Sequence, residues 1–195
     1  MATKRLPVFE KFIQDIRASW AQLLDTEARM KKTAELLKGL VADETLRQHC
    51  KNWPSTDGHK NLLLYEDPDY GFVINAVVRV QGAQGGAHDH AHSWTAYGVL
   101  DGKEKMERFR CLEDRRKEGY AKIELQSVSE SGPGTVDLVP PFDVRAEKGA
   151  LGGRSVAVIV RSERVVGKTL QGRYDLQTGK YFQGEGPAQV AFEVA

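Results

Sequence analysis

Cysteine is nearly absent: only Cys50 and Cys111 occur in 195 residues. Two thiols are too few to make a disulfide framework or to hold a structural zinc alone, so both are expected to be reduced. No apolar run approaches the ~20 residues that a bilayer-spanning helix needs. Charge of one sign is also lacking. Lys and Arg total 28 against 27 Asp and Glu, a formal net charge of +1. That balance excludes the basic footprint of a dedicated nucleic-acid binder and the polybasic stretch of a membrane anchor. The N-terminal residues MATKRLPVFEKF carry no apolar signal region, which predicts an unprocessed, cytoplasmic chain. The expected partner is a small molecule, with no nucleic acid and no membrane. A homodimer is the default oligomer.

What is present divides into two compositional parts. Residues 1–58 predict a helical layer. Phe9, Phe12, Ile13, Ile16, Trp20, Leu23 and Leu24 recur at steps of three and four, the spacing of one buried helix face. Pro7 suits a first helical turn. Asp25 and Asp43 are placed to cap two further helices, with Met30, Ala34, Leu37 and Val41 on a buried side. From residue 59 the pattern changes to short strands. Candidates are Asn61–Tyr65, Gly71–Val80, Thr95–Leu100, Lys105–Cys111, Tyr120–Val128, Thr135–Val139, Phe142–Glu147, Ser155–Arg161 and Lys168–Tyr174. Turn sequences such as DPDYG, DGK, SGPG and KGALGGR separate them. Strands at this spacing without intervening helices predict an antiparallel sandwich or barrel over 59–182. Residues 183–195 are expected to form a tail or an extra edge strand, and EDRRKEG at 113–119 a solvated turn.

The chemistry concentrates in the segment GAHDHAHSW, which holds three of the five histidines. On a strand, residues i and i+2 project to one face, so His88 and His90 point together, a common start to a metal site. His92 lies ~13 Å further along a straight strand and is expected behind the ligands rather than among them. Trp94, Tyr97 and Phe142 are candidates for an aromatic wall.

These residues also carry a family resemblance. Gly82, five residues, His88-x-His90, four residues, Thr95, six residues and Gly102 match the spacing of the first cupin motif, with Thr95 where that motif has Glu. Gly134, five residues, Pro140-x-Phe142, two residues, Arg145, three residues and Gly149 match the second, with Phe142 for Gly, Arg145 for His and Gly149 for Asn. The chain therefore resembles the cupins, and within them the thiol dioxygenase group of cysteine dioxygenase. HKNLLLY at 59–65 is similar to that group's upstream strand, with Lys60 where an Arg binds the substrate carboxylate. The resemblance implies a mainly β, double-stranded β-helix (jelly-roll barrel) with an N-terminal α-helical layer. It also implies Fe(II) on histidines and oxidation of a small thiol.

The departures set the alternatives. The third metal ligand would fall at Arg145, and a guanidinium has no lone pair for a metal. No histidine follows His92. The strand that should carry a His-x-Tyr pair reads SVAVIVRS. A non-standard centre would join His88 and His90 to a carboxylate, with Asp143 as the candidate and Glu124 and Glu147 also near the second motif. His92 and Thr95 would lie behind it, and Lys60, Arg145, Trp94 and Tyr97 would hold a small anionic substrate of an iron-dependent oxygenase. The alternative is a metal-free, non-catalytic cupin that binds a carboxylate or other anion through Arg145 and Lys60.

Overall fold

The computed structural model describes residues 5–56, 60–80 and 85–195. Three helices open the chain: α1 (Pro7–Gln22), α2 (Thr26–Val41) and α3 (Glu44–His49), followed by a short 3-10 turn at Cys50–Asn52. Both expected caps form. The Asp25 carboxylate accepts from the Ala28 amide and that of Asp43 from Leu46, satisfying orphan donors of each first turn. The stripe of α1 is buried from Phe9 to Trp20. It stops there, because the helix ends at Gln22 and Leu24 is 93% exposed.

Twelve strands follow: β1 (Lys60–Glu66), β2 (Val73–Arg79), β3 (Ala87–His88), β4 (Thr95–Asp101), β5 (Glu104–Arg115), β6 (Tyr120–Ser131), β7 (Val136–Val139), β8 (Val144–Ala150), β9 (Ser155–Arg161), β10 (Gln171–Tyr174), β11 (Tyr181–Gly184) and β12 (Ala188–Ala191). They form two six-stranded sheets, ordered β12-β1-β2-β9-β4-β7 and β11-β10-β3-β8-β5-β6. Every pairing within them is antiparallel except that of β12 with β1. The β5–β6 hairpin is longer than its apolar pattern predicts. Residues 113–115, read as turn from their charge, still pair with β6, and the reversal is confined to Arg116–Gly119.

The main apolar core lies between the helices and the first sheet, not between the sheets. Ile74, Ala76 and Val78 of β2, Ala96 and Leu100 of β4, and Val156, Val158 and Val160 of β9 pack there with Phe12, Ile16, Trp20, Met30 and Leu37. Trp94, expected in a ligand wall, is half-buried against this same cluster. Alternation turns the neighbouring residues of the same strands inward. Val77, Tyr97, Val99, Ala157 and Ile159 form a smaller interior cluster with Met106. Helix α2 approaches β4 so closely that a Cβ on Gly98 would stand 2.9 Å from Val41 Cγ1 and 3.1 Å from Leu37 Cγ.

Of the motif glycines, Gly102 and Gly134 adopt φ of 73° and 85°. Phe142, where the second motif has Gly, keeps φ at 61° and is exposed, so that turn holds its left-handed backbone against a side-chain penalty of ~1–2 kcal/mol. Gly82 and His59 lie outside the described residues. Both cysteines are free thiols, Cys50 buried and Cys111 exposed.

Two glycine substitutions should move stability in opposite directions. Gly98→Val overpacks the helix–sheet seam and is expected to cost ~1–3 kcal/mol. Gly39→Ala, inside α2 with nothing within 4 Å of the added Cβ, should add ~0.5–1 kcal/mol. Urea denaturation of the two variants beside the parent checks both.

Candidate functional site

A cavity of about 540 Å³ opens between the two sheets. The inward residues of six strands reach it: Asn61 of β1, Val77 and Arg79 of β2, His88 of β3, Tyr97 of β4, Glu147 of β8 and Ile159 and Arg161 of β9. His90 enters from the loop after β3. Gln171 and Arg173 come from β10, and Glu185–Pro187 cross its rim between β11 and β12.

Three arginines are packed into this region, and two of them have a carboxylate. Arg145 is 1% exposed and donates from Nε to Glu147 Oε1 at 2.8 Å and from Nη2 to the same oxygen at 2.5 Å. Its Nη1 reaches Asp137 Oδ2 at 3.2 Å, and its guanidinium lies 4.6 Å from the Tyr97 ring centroid. Arg79 donates to Tyr97 Oη at 2.5 Å and to Glu104 Oε1 at 3.1 Å. Tyr97 donates to the other Glu104 oxygen at 2.5 Å, and Ser155 Oγ to the first at 2.7 Å. Arg161 is different. It is 4% exposed, and among the described residues its side chain makes one hydrogen bond, to the neutral Asn75 Oδ1 at 3.3 Å. Asn75 in turn accepts from Gln189 of β12, at 3.3 Å. Burial pulls the Arg161 guanidinium down to about 10, aided by Arg145 and Arg173 and opposed by Glu147; it is still charged at neutral pH.

Three cavity residues carry a buried polar atom without a hydrogen-bond partner among the described residues: Arg161 Nε, His90 Nδ1 and Gln171 Nε2. Each such group costs ~1–3 kcal/mol unless water or a ligand satisfies it. The histidines are held neutral. Burial lowers both, His90 strongly, and the neighbouring arginines lower them further. Burial acts the other way on Glu147, but Arg145, His88, Arg79 and His90 outweigh it and hold the carboxyl well below its usual range.

The residues expected from sequence are partly assembled. His88, His90, Tyr97 and Lys60 line the cavity, with Lys60 at its exposed rim. Arg145 does not line it, because Glu147 and Asp137 occupy its fork. Asp143 also stands apart, in an ion pair with Arg108 that Asp137 shares. Trp94 packs toward the helices. His92 is exposed and 3.2 Å from Glu163. Thr95 is fully buried beside Arg161 in the β4–β9 register. Arg79, Arg161, Gln171 and Arg173 were not anticipated. The available signal was the charge ending SVAVIVR, a strand buried along its whole length.

Cupin iron does not fit this donor set. The His88 and His90 rings are 5.0 Å apart, but the position that should complete the site is Arg145. Recruiting Glu147 instead would draw on the carboxylate that Arg145 and Arg79 share and leave Arg145 to the partly exposed Asp137, which Arg108 also holds. Among the described residues no group of three or more His, Cys, Asp or Glu is arranged to hold a metal. The guanidinium charges of Arg79, Arg145 and Arg161 oppose any added cation.

The architecture is mainly β, two six-stranded, almost wholly antiparallel sheets with helices packed on one of them. No protein-family model matches the sequence, and no curated protein does. Solved structures with a similar barrel include an uncharacterized conserved protein with a double-stranded β-helix domain from Klebsiella pneumoniae (13% identity, 68% of this chain and 90% of that one, TM-score 0.43). Another is the cupin domain of Cnp3 from Schizosaccharomyces pombe (12%, 54% and 61%, 0.42). A third is an RmlC-like cupin family protein from Methanocaldococcus jannaschii (15%, 56% and 85%, 0.38). Nothing in these likenesses points to thiol dioxygenases in particular. Among the described residues no helix is long and apolar enough to cross a membrane.

The pH dependence of stability follows from the signs of these shifts. His88 and His90 have native values below the ordinary 6.5, so the unfolded chain takes up their protons first. Each should remove ~1.4 kcal/mol per pH unit as pH falls below 6.5 toward its native value. Glu147, depressed from 4.5, acts in the same direction: its contribution is complete above 4.5 and is lost on further acidification. Thermal melts from pH 8 to pH 4 should show the loss starting near 6.5 and steepening below 4.5.

Proposed function

We propose that this protein binds a small carboxylate-bearing anion in its barrel, without a metal centre. Arg161 is the principal anchor, with Gln171 beside it and Arg79, Arg173 and rim Lys60 supplying further positive field. The observation that carries this reading is the uncompensated Arg161. Arg79 has Glu104 and Arg145 has Glu147, but among the described residues this third buried guanidinium hydrogen-bonds only a neutral amide oxygen and feels Glu147 without a direct contact. Removing a charge from water without a counter-charge costs several kcal/mol. A bound carboxylate supplies the counter-charge, and the planar fork is the side chain best matched to it. The anion-binding role expected for Arg145 thus passes to Arg161.

The competing reading is an iron-dependent oxygenase resembling thiol dioxygenases. It rests on the spacing of the first motif and on His88 and His90 sharing one wall. Arg145 at the third-ligand position weighs against it.

A thermal-shift screen of small mono- and dicarboxylates decides between them. A ligand at ten times its Kd should stabilise the protein by ~1.4 kcal/mol, and Arg161→Gln should abolish that shift while leaving the protein folded. Anaerobic titration with Fe(II) should give no stoichiometric binding. Tight iron uptake that disappears in His88→Ala, with no carboxylate response, would restore the oxygenase.

A further inference from the structure

The wall facing the guanidinium groups has an unusual arrangement of acceptors. His88 Nδ1 lies 3.0 Å from the carbonyl oxygen of Gly86. A carbonyl only accepts, so Nδ1 carries the ring proton. The other nitrogen, Nε2, then has a free lone pair. It faces Glu147 Oε2 across 3.8 Å, too far for a hydrogen bond. The other Glu147 oxygen is taken by Arg145, and Oε2 has the Arg79 guanidinium 3.9 Å away. His88 Nε2 has no donor among the described residues. Two acceptors therefore confront one another at the edge of a cavity whose unpartnered buried atoms include the donors Arg161 Nε and Gln171 Nε2, beside His90 Nδ1.

That division defines a ligand with two different polar ends. One end is an anion, for Arg161 and Gln171. The other must donate a hydrogen bond to His88 Nε2. An ammonium group would donate and would meet Glu147 Oε2, but the Glu147 charge is already matched by Arg145 and Arg79, and Arg161 and Arg173 raise the cost of another cation. A hydroxyl donates without charge. We propose, resting on the anion-binding reading above, that the ligand is a small hydroxycarboxylate whose carboxylate is held by Arg161 and whose hydroxyl donates to His88 Nε2. His88 is then a specificity-determining residue, fixed in one tautomer by the Gly86 carbonyl, and a site built for a donor rejects the analogue that lacks one.

The test is calorimetric, with matched probes on the full chain: malate, succinate and aspartate, then lactate against propionate. Malate is expected to bind at least tenfold more tightly than succinate, with aspartate the weakest of the three, and lactate more tightly than propionate. His88→Leu, which removes the acceptor, should bring malate to the affinity of succinate while succinate binding survives. Arg161→Gln should remove binding of all three. Equal affinity for malate and succinate in the parent protein would overturn the hydroxyl assignment and leave the anion site standing. Tightest binding of aspartate, or malate selectivity that persists in His88→Leu, would overturn it too. No binding by any probe would sink both readings. Should His88→Leu fail to fold, nitrogen-15 NMR of the imidazole rings in the parent protein decides. Malate must move the His88 Nε2 resonance to lower frequency and succinate must not; equal responses overturn the proposal.

Discussion

The structure depends on how guanidinium charge is neutralised inside the barrel. Glu147 is the central counter-charge. It takes two donors from Arg145, stands near Arg79 and His88, and is held ionised by the cations around it. Glu104 is the hydrogen-bonded counter-charge of Arg79, with the Tyr97 hydroxyl completing the contact. These pairs are not a source of large net stability, because desolvation offsets most of their Coulomb energy. They do hold the inner faces of β2, β4 and β8 in a defined polar arrangement. Once Glu104 and Glu147 are committed, Arg161 has no carboxylate within hydrogen-bond reach among the described residues, and that surplus charge is what supports the proposed anion site.

This polar interior is tolerable because the fold puts its main apolar core elsewhere. Helices α1 and α2 cover the outer face of the first sheet and bury an aliphatic and aromatic layer there. Burial of such side chains at ~1.5–3 kcal/mol each offsets the cost of charges between the sheets. The division follows strand alternation. In β9, Val156, Val158 and Val160 face the helices, while Ala157, Ile159 and Arg161 face the cavity. The C-terminal strand joins the two regions, since Gln189 reaches Asn75, which orients Arg161.

The spacing that resembles a cupin metal motif carries altered chemistry here. His88 and His90 still share a wall, and Gly102 and Gly134 still make their left-handed turns. Arg145 stands where a third ligand would be, and its charge had to be matched. Glu147, two residues further along the same strand and so on the same face, matches it. Arg145 lies behind the cavity wall, while Glu147, His88 and His90 face the cavity beside Arg79, Arg161 and Arg173.

Local rules made much of the fold legible. The period of α1, the caps at Asp25 and Asp43, the strand runs and the turn glycines each depend on neighbours close in sequence, so they could be read directly. His88 and His90 do lie together, yet not by the strand alternation expected, since β3 ends at His88 and His90 enters from the loop after it; the mismatch of Arg145 with a metal was legible from its side chain alone. The fate of that arginine was not. Glu147 shares Arg145's strand face, a local relation, but whether a buried cation turns to a ligand or to a carboxylate also depends on which strands lie opposite, and Asp137 reaches Arg145 only once β7 and β8 are folded into separate sheets. The same holds for Arg161, Gln171 and Gly86, brought to one cavity from positions up to 85 residues apart. Sequence alone determined the barrel, its helical layer and the residues that could carry charge or lone pairs. Tertiary structure decided which charges cancel, because electrostatic pairing acts through space and depends on burial, neither of which local spacing encodes.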